Sequence, residues 1–487
     1  MDVSEYSSSN PLETSKTLQY IKRHEKTFAL ICATLLMFCA QKYINAQKFE
    51  GDAAGYWHYS SFIWNFSFPQ AIRGYFYPLL LSPAKFIFEI LPRTGYLALY
   101  LMQALVFSFT LTILLPYVFT SLIGGRASLA RRLIVPFFVA LFFPALIAYP
   151  LSDLPALCLI IASLALILFA SERSSLIQSV FIMLFAGIAA YGAYNTRTIY
   201  LFTIALLTLL IPTLAFKNST TARKTIAALA FILGSAIAAT PQALINMKYL
   251  GSPTPLVVSN INNSSLFANQ LKWGITIQRY ETGYDTKSGV IFPVFYLDPT
   301  GEELFRNHEI GNSKATVPGY FKILLSEPIS FLKIYIKHFI NGLDVRDDDT
   351  YTRIRSKENN LRSLASLSIS IYGLYCLICL VFRRSTTSNA SAAHDKIAFR
   401  LIWVIAIILP VIAIIPGAIE TRFFLPLHLM AYCAIAFGLP EPSIRSLSTT
   451  KKTLIFAIYV TTVIAFYISA SESISTPVYE IPKEYME

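Results

Sequence analysis

Charged residues are scarce in this 487-residue chain, and six of them stand where long apolar runs end. The six are Asp52, Arg73, Asp153, Arg197, Glu420 and Arg422. A charge beside hydrocarbon is costly, so such residues tend to pair with one another or to line a wet cavity. A carboxylate can serve as a general base towards a hydroxyl, and guanidinium groups match phosphate in a bidentate geometry. Together the residue types and positions point to a site at one membrane interface.

Each of these residues also has a purely structural interpretation. Asp52 could cap a helix that follows the first apolar run, and Asp153, two residues before Pro155, suits a helix N-terminus. Arg197 or Arg422 alone could extend to the lipid headgroups. Because all six residues fall at the same predicted membrane surface, we favour one shared site over six coincidences.

The elements that must position these residues are membrane-spanning helices. Of all residues 55% are hydrophobic and 14% are charged, and the mean hydropathy is +0.54, whereas soluble domains carry roughly 25% charged residues. Most of the apolar runs reach the ~17–25 residues that a helix needs to cross a bilayer. The runs are 28–45, 97–121, 133–149, 154–170, 176–193, 198–216, 225–245, 364–382, 397–416, 423–439 and 453–470. We therefore predict an all-α polytopic membrane protein with about eleven transmembrane helices.

Basic residues predict the orientation, because short cytoplasmic connections carry an excess of Lys and Arg. Alternate connections hold most of them: Lys16, Lys22, Arg23, Lys26, Arg126, Arg131, Arg132, Arg173, Lys217, Arg223, Lys224, Arg383, Arg384, Lys396, Arg445, Lys451 and Lys452. The tail 1–27 is thus predicted to be cytoplasmic and the tail 471–487 to be extracytoplasmic. We expect a multi-pass protein of the inner (cytoplasmic) membrane, with its site on the periplasmic side. The net charge of +12 largely reflects this bias and does not indicate nucleic-acid binding.

The chain divides into two membrane modules around one long hydrophilic segment. The N-terminal module spans 28–247 and contains a first outer loop, 46–95, that is dense in aromatic residues. Residues 248–362 are predicted to form a small extracytoplasmic α(+β) lobe, and residues 363–470 form the C-terminal helices. Within the first loop, 75–91 is interpreted as an interfacial helix, with a short hairpin or a twelfth span as alternatives.

Cysteine and metal signals are weak. The six cysteines all fall inside apolar runs, at Cys32, Cys39, Cys158, Cys376, Cys379 and Cys433. Cys376 and Cys379 have the spacing of a redox or metal motif, but their place in a predicted span favours packing. We predict no metal and no other cofactor, although a divalent cation beside Asp153 stays an alternative.

Four short motifs carry a resemblance to a known family. They are Gly51–Tyr56, Gly74–Leu80, Tyr149–Pro155 and Glu420–Pro426. With its hydropathy layout, the chain resembles the C-type glycosyltransferases (GT-C fold), which include protein O-mannosyltransferases and lipid A aminoarabinose transferases. The last motif is similar to the family's Arg-Tyr-x-x-Pro signature, with Phe423 in place of Tyr. Asp52 lacks the acidic neighbour that usually follows it.

The resemblance implies transfer of a sugar from a polyprenyl-phosphate carrier, such as undecaprenyl phosphate, to a hydroxyl on the outer side of the membrane. The expected acceptor is a cell-surface glycan, lipopolysaccharide or a related glycolipid, and the expected course is inverting single displacement. The catalytic candidates are Asp52, as general base, and Asp153. The candidates for binding the donor phosphate are Arg73, Arg197, Arg422 and Lys85. The candidates for binding substrate are Tyr56, His58, Tyr77 and Glu420.

Two other functions fit a protein of this layout. A transporter or flippase of a lipid-linked glycan would place ionisable groups and broken helices near the bilayer midplane, and Pro136, Pro144, Pro212, Pro241 and Pro410 could break helices. An O-antigen polymerase or ligase would share the large outer loop and the outer arginines, but it typically lacks an acidic loop directly after the first span.

Overall fold

The computed structural model describes residues 23–46, 48–63, 68, 73–261, 264–285, 287–312, 315–346, 350–351, 359–383, 390–438, 448–482 and 485. Most of the predicted cytoplasmic tail lies outside the described residues. So do several predicted basic residues of the short connections, among them Lys16, Lys22, Arg384 and Arg445.

The described chain is mainly helical. The first ten helices are α1 (Glu25–Ile44), α2 (Gly51–Tyr59), α3 (Phe76–Ile90), α4 (Leu97–Leu122), α5 (Leu129–Phe142), α6 (Pro144–Ala148), α7 (Asp153–Ser171), α8 (Leu176–Thr196), α9 (Thr198–Ala215) and α10 (Thr221–Leu250). The hydrophilic segment then adds β1 (Asn260–Ile261), β2 (Ser264–Ser265), α11 (Leu266–Thr276), β3 (Ile277–Tyr284), β4 (Ile291–Leu297), α12 (Pro299–Asn307), α13 (Val317–Ser326) and α14 (Pro328–Leu343). The last four helices are α15 (Asn360–Val381), α16 (Ala390–Ile414), α17 (Thr421–Phe437) and α18 (Thr449–Ser473).

The predicted all-α polytopic membrane fold is confirmed, but the count of eleven spans is not. Within the described ranges, nine helices are long and apolar enough to cross a membrane: α1, α4, α7, α8, α9, α10, α15, α16 and α18. The run 133–149 is divided at Phe143, because Pro144 starts a new helix and restricts the residue before it. The run 423–439 becomes α17, which is shorter and almost wholly buried between α5, α15 and α16.

The helix ends form two faces. We call the end that carries the segment 251–359 the lobe face and the opposite end the basic face. The chain after α18 returns to the lobe, where Val478 and Phe295 exchange two backbone hydrogen bonds of 2.8 Å each. At the basic face, the Arg126 amide donates to the Phe437 carbonyl at the end of α17 (3.0 Å). The chain beyond the last span and the lobe therefore share one face, as the alternation of spans predicts.

The lobe contains both helices and strands. Strands β3 and β4 pair antiparallel, with Arg279 opposite Tyr296 and Glu281 opposite Val294. Helices α11, α12, α13 and α14 pack beside this pair around a small apolar core that includes Phe331. The segment 75–91 forms helix α3, which has 15 residues and is not among the helices long enough to cross a membrane.

A buried ionic cluster joins the lobe to the spans. The Arg346 Nε donates to Asp344 Oδ2 at 2.5 Å, and Arg279 Nη1 lies 3.3 Å from the same oxygen. The Ser363 hydroxyl of α15 donates to the other Asp344 oxygen at 2.5 Å. All three charged residues are almost fully buried. Because breaking such a pair would strand a buried charge, the cluster anchors the connection that leads from α14 to Tyr351.

Candidate functional site

The six charged residues predicted from the sequence lie together at the lobe face in one connected network. Arg422 is its centre, with Nε 2.8 Å from Glu420 Oε2 and Nη1 3.6 Å from Asp153 Oδ2. Its Nη2 lies 3.9 Å from Asp52 Oδ2. One guanidinium therefore faces all three carboxylates.

The other two arginines close the ends of the network. Arg197 Nη1 lies 2.5 Å from Asp153 Oδ1, and Arg73 donates to Asp52 Oδ1. Guanidinium and carboxylate groups therefore alternate from Arg73 through Asp52, Arg422 and Asp153 to Arg197.

Helix ends deliver most of these side chains, and a loop before α3 delivers Arg73. Asp52 stands in the first turn of α2 and Asp153 is the first residue of α7. Acidic groups are favoured there, because the unpaired N–H groups of a first turn carry partial positive charge. Arg197 stands between α8 and α9, and Arg422 stands in the first turn of α17. The alternation of the spans thus brings distant parts of the chain to one place.

Burial divides the network into an open edge and a closed end. The side chains of Asp52 and Arg73 are 36% and 37% exposed. Those of Asp153 and Glu420 are 4% and 1% exposed. A substrate that approaches from the lobe face would therefore meet Asp52 and Arg73 first.

Two carboxyl groups differ in protonation because their surroundings differ. Partial burial tends to raise the pKa of Asp52, but the attraction of Arg73 and Arg422 outweighs it and holds that pKa below its ordinary value. Burial raises the pKa of Glu420 to about 7, although Arg422 opposes the rise. Asp52 is therefore ionised at neutral pH, while a large fraction of Glu420 carries a proton.

Aromatic rings support the arginines. The guanidinium carbon of Arg197 lies 4.5 Å from the centre of the Phe423 ring, and that of Arg422 lies 5.6 Å from it. Tyr280 of β3 meets the same ring edge-on at 6.0 Å. Phe423 thus contacts two arginines through its ring. This is the residue that departs from the family signature. Tyr280 was missed, because nothing in the sequence relates a lobe strand to this loop.

Tyr351 is a second residue that the sequence did not reveal. Its hydroxyl donates to the Glu50 carbonyl at 2.7 Å and accepts from the Ala53 amide at 3.3 Å, so it caps the helix that carries Asp52. The backbone of Tyr351 has φ +54, which costs an L-residue about 1–2 kcal/mol. Gly51 has the same φ, and a Cβ there would lie 2.8 Å from Ile291. Both positions keep the start of α2 in close contact with the lobe and its connection.

The remaining predicted residues divide into two groups. Tyr56 lies one helical turn after Asp52, with its ring 5.6 Å from the Arg73 guanidinium carbon. It also meets the ring of Tyr77 at 5.0 Å. The Tyr56 hydroxyl is buried and has no hydrogen-bond partner among the described residues, and its assignment to substrate binding stays a prediction.

His58 and Lys85 are not part of the network. His58 is exposed on another side of α2 and contacts Phe62 edge-on at 5.0 Å. Lys85 lies 3.6 Å from Glu89 and 5.1 Å from the centre of the Trp57 ring. Their assignment to substrate and donor phosphate stays a prediction.

The acidic side chains of the network are paired with arginines and are not grouped with one another. Within the described residues, no group of three His, Cys, Asp or Glu side chains is placed to hold a metal ion. Each carboxylate of the network instead faces a guanidinium group.

The sequence matches no protein-family model and no curated protein.

Proposed function

We propose that this protein is a membrane glycosyltransferase. It moves a sugar from a polyprenyl-phosphate carrier to a hydroxyl of a cell-surface glycan or glycolipid, with Asp52 as the general base. The observation that carries the proposal is the network itself. Six charges from separate parts of the chain meet at one face of the spans, and Asp52 lies at the open edge.

Stability alone is a poor reason for such a network. Burying ion pairs costs desolvation that their attraction barely repays, and apolar replacements are often as stable or more so. When Glu420 is protonated, the three arginines outnumber the remaining carboxyl groups of the network, and positive charge is in excess. The sugar donor is a phosphodiester with one negative charge, so it would neutralise this excess.

The proposed step is a single displacement. The acceptor oxygen forms a bond to the anomeric carbon, and the bond from that carbon to the phosphate oxygen breaks with its electron pair on the phosphate. Asp52 takes the proton of the acceptor hydroxyl. Because the acceptor attacks the face opposite the leaving phosphate, the configuration inverts.

The arginines have two roles in this step. They hold the charge that grows on the leaving phosphate, where donors fixed in advance are most effective. As Arg73 and Arg422 turn towards the phosphate, their attraction to Asp52 weakens and the pKa of its carboxyl rises. Donor binding therefore makes Asp52 a stronger base at the moment that a base is needed.

The test is glycan mass analysis of a host that carries the wild type, Asp52→Asn, Asp285→Asn or no gene. Asp285 is a partly exposed aspartate of the lobe whose carboxylate accepts hydrogen bonds from Lys287 and Ser288, so its variant controls for the loss of one carboxylate. We expect a hexose-sized or pentose-sized addition with the wild type and Asp285→Asn, and its loss with Asp52→Asn at equal membrane expression. Full modification by Asp52→Asn would show that Asp52 is not the general base. Identical masses in all strains would favour transport of a lipid-linked glycan.

A further inference from the structure

Three buried amide side chains form a continuous relay at the lobe face, next to the charged network. Asn195 Nδ2 donates to Gln242 Oε1 at 2.9 Å, and Gln242 Nε2 donates to Asn246 Oδ1 at 3.1 Å. Asn246 Nδ2 then donates to the carbonyl oxygens of Thr254 and Leu256, at 2.6 and 2.7 Å. The relay joins the end of α8 through α10 to the chain entering the lobe.

The other end of the relay holds the loop that carries Arg73. The Phe76 backbone amide donates to Asn195 Oδ1 at 2.8 Å. This amide comes three residues after Arg73, at the start of α3. A Cβ at Gly74 would collide with the Asn195 backbone carbonyl oxygen, so the loop lies directly against α8 there.

The backbone groups at its two ends give the relay one direction. A backbone N–H can only donate and a backbone carbonyl can only accept. Each of the three amides must therefore accept on the side towards Phe76 and donate on the side towards Thr254. Rotating any one amide by 180° would set two acceptors or two donors against each other. Buried and at most 4% exposed, these side chains could not replace the lost bonds with water.

We propose that Asn195 is a positioning residue for Arg73. By holding Gly74 and Phe76 against α8, it keeps the Arg73 guanidinium on Asp52 and in reach of the donor phosphate. The inference rests on the proposed function, because it concerns the same phosphate site. It adds that the affinity for the carrier depends on an amide that touches no substrate.

The first measurement is the binding of undecaprenyl phosphate to the purified full-length protein in detergent, by native mass spectrometry. Asn195→Leu keeps the number and branching of the side-chain heavy atoms but leaves the Phe76 amide unpaired, so we expect affinity to fall about tenfold. Tyr194→Phe is the matched control, since it removes a buried hydroxyl one residue away that accepts from the Val257 amide at 2.9 Å. We expect the control to bind within about twofold of the wild type.

A double-mutant cycle separates positioning from general damage. If Asn195 acts through Arg73, Asn195→Leu should have little further effect on affinity in an Arg73→Gln background. A merely structural loss would reduce affinity by the same factor in both backgrounds, and that result would overturn the proposal. If Asn195→Leu does not fold, Gly74→Ala tests the same contact from the other side with the same expected outcomes.

The pH profile of transfer in membranes of the host provides a second readout. Displacing Arg73 raises the pKa of Asp52, so the acid limb of the profile should move to higher pH in Asn195→Leu, as in Arg73→Gln. An unshifted limb with a uniformly lower rate would contradict positioning. If Arg73→Gln itself binds and transfers normally, the proposed phosphate site fails. If Arg73→Gln is defective and Asn195→Leu is normal, only the present inference fails.

Discussion

Tyr351 and Glu50 are 301 residues apart in the chain, yet the Tyr351 hydroxyl donates to the Glu50 carbonyl oxygen at 2.7 Å. The contact joins the connection between α14 and α15 to the first turn of the helix that carries Asp52. A distant tyrosine therefore does what a local Ser or Asp usually does at a helix start.

Replacing Tyr351 by Phe should impair transfer while leaving the fold intact. The change keeps the ring but leaves the Ala53 amide without its partner and removes one of two hydrogen bonds to the Glu50 carbonyl, so we expect a rate about tenfold lower. Tyr459→Phe is the control, because it removes a hydroxyl that bonds a backbone carbonyl between two spans (3.0 Å). Glycan mass analysis at equal expression measures both. Equal loss in both variants would show a general stability effect instead of a specific role in placing Asp52.

Glu420 should make carrier binding depend on pH. Its pKa of about 7 means that it is mostly neutral below that pH and mostly charged above it. Because charging Glu420 removes the excess positive charge, the ratio of the wild-type Kd for undecaprenyl phosphate to that of Glu420→Gln should rise several-fold between about pH 6 and 8. The ratio cancels the ionisation of the ligand itself. A ratio that stays constant with pH would mean that Glu420 does not titrate in this range.

Phe423 should matter through its aromatic face, which holds Arg197 and Arg422. Removing the ring in Phe423→Leu should weaken undecaprenyl phosphate binding by about five- to thirtyfold, since a desolvated cation–π contact contributes ~1–2 kcal/mol. Phe423→Tyr keeps the face and restores the family signature, so it should bind like the wild type. If Leu and Tyr variants bind equally well, the ring does not position the arginines.

Lys85 was assigned to the donor phosphate from the sequence, but it lies outside the network in the structure. It lies beside Glu89 and over the Trp57 ring. We therefore expect Lys85→Ala to bind undecaprenyl phosphate within about twofold of the wild type. A loss as large as that of Arg73→Gln would restore Lys85 to the phosphate site.

Hydropathy and charge were sufficient to predict which residues meet. Five of the six charges stand near the end of an apolar run and Arg73 lies in the first outer loop, and alternating spans bring such positions to one face. Helical spacing also relates Asp52 to Tyr56, four residues later, whereas His58 is six residues later and falls on another side. That distinction was available in the sequence.

Other features depend on tertiary packing and could not be predicted. Tyr351 and Tyr280 are isolated aromatic residues far along the chain, and no local pattern marks them as neighbours of Asp52. The predicted count of about eleven spans is not confirmed, for a similar reason. Helix α17 is surrounded by other helices and not by lipid, so its length need not match the bilayer.

The place of Arg422 in the chain also bears on how the protein is made. Asp52 and Arg73 leave the ribosome early, whereas Arg422 follows only after eight of the nine long spans. A nascent chain therefore holds the carboxylate and its first partner long before the guanidinium that links all three acidic groups. The centre is completed only when the last part of the polypeptide enters the bilayer. Under the proposed function, an unfinished chain would therefore lack the complete site for a lipid-linked donor.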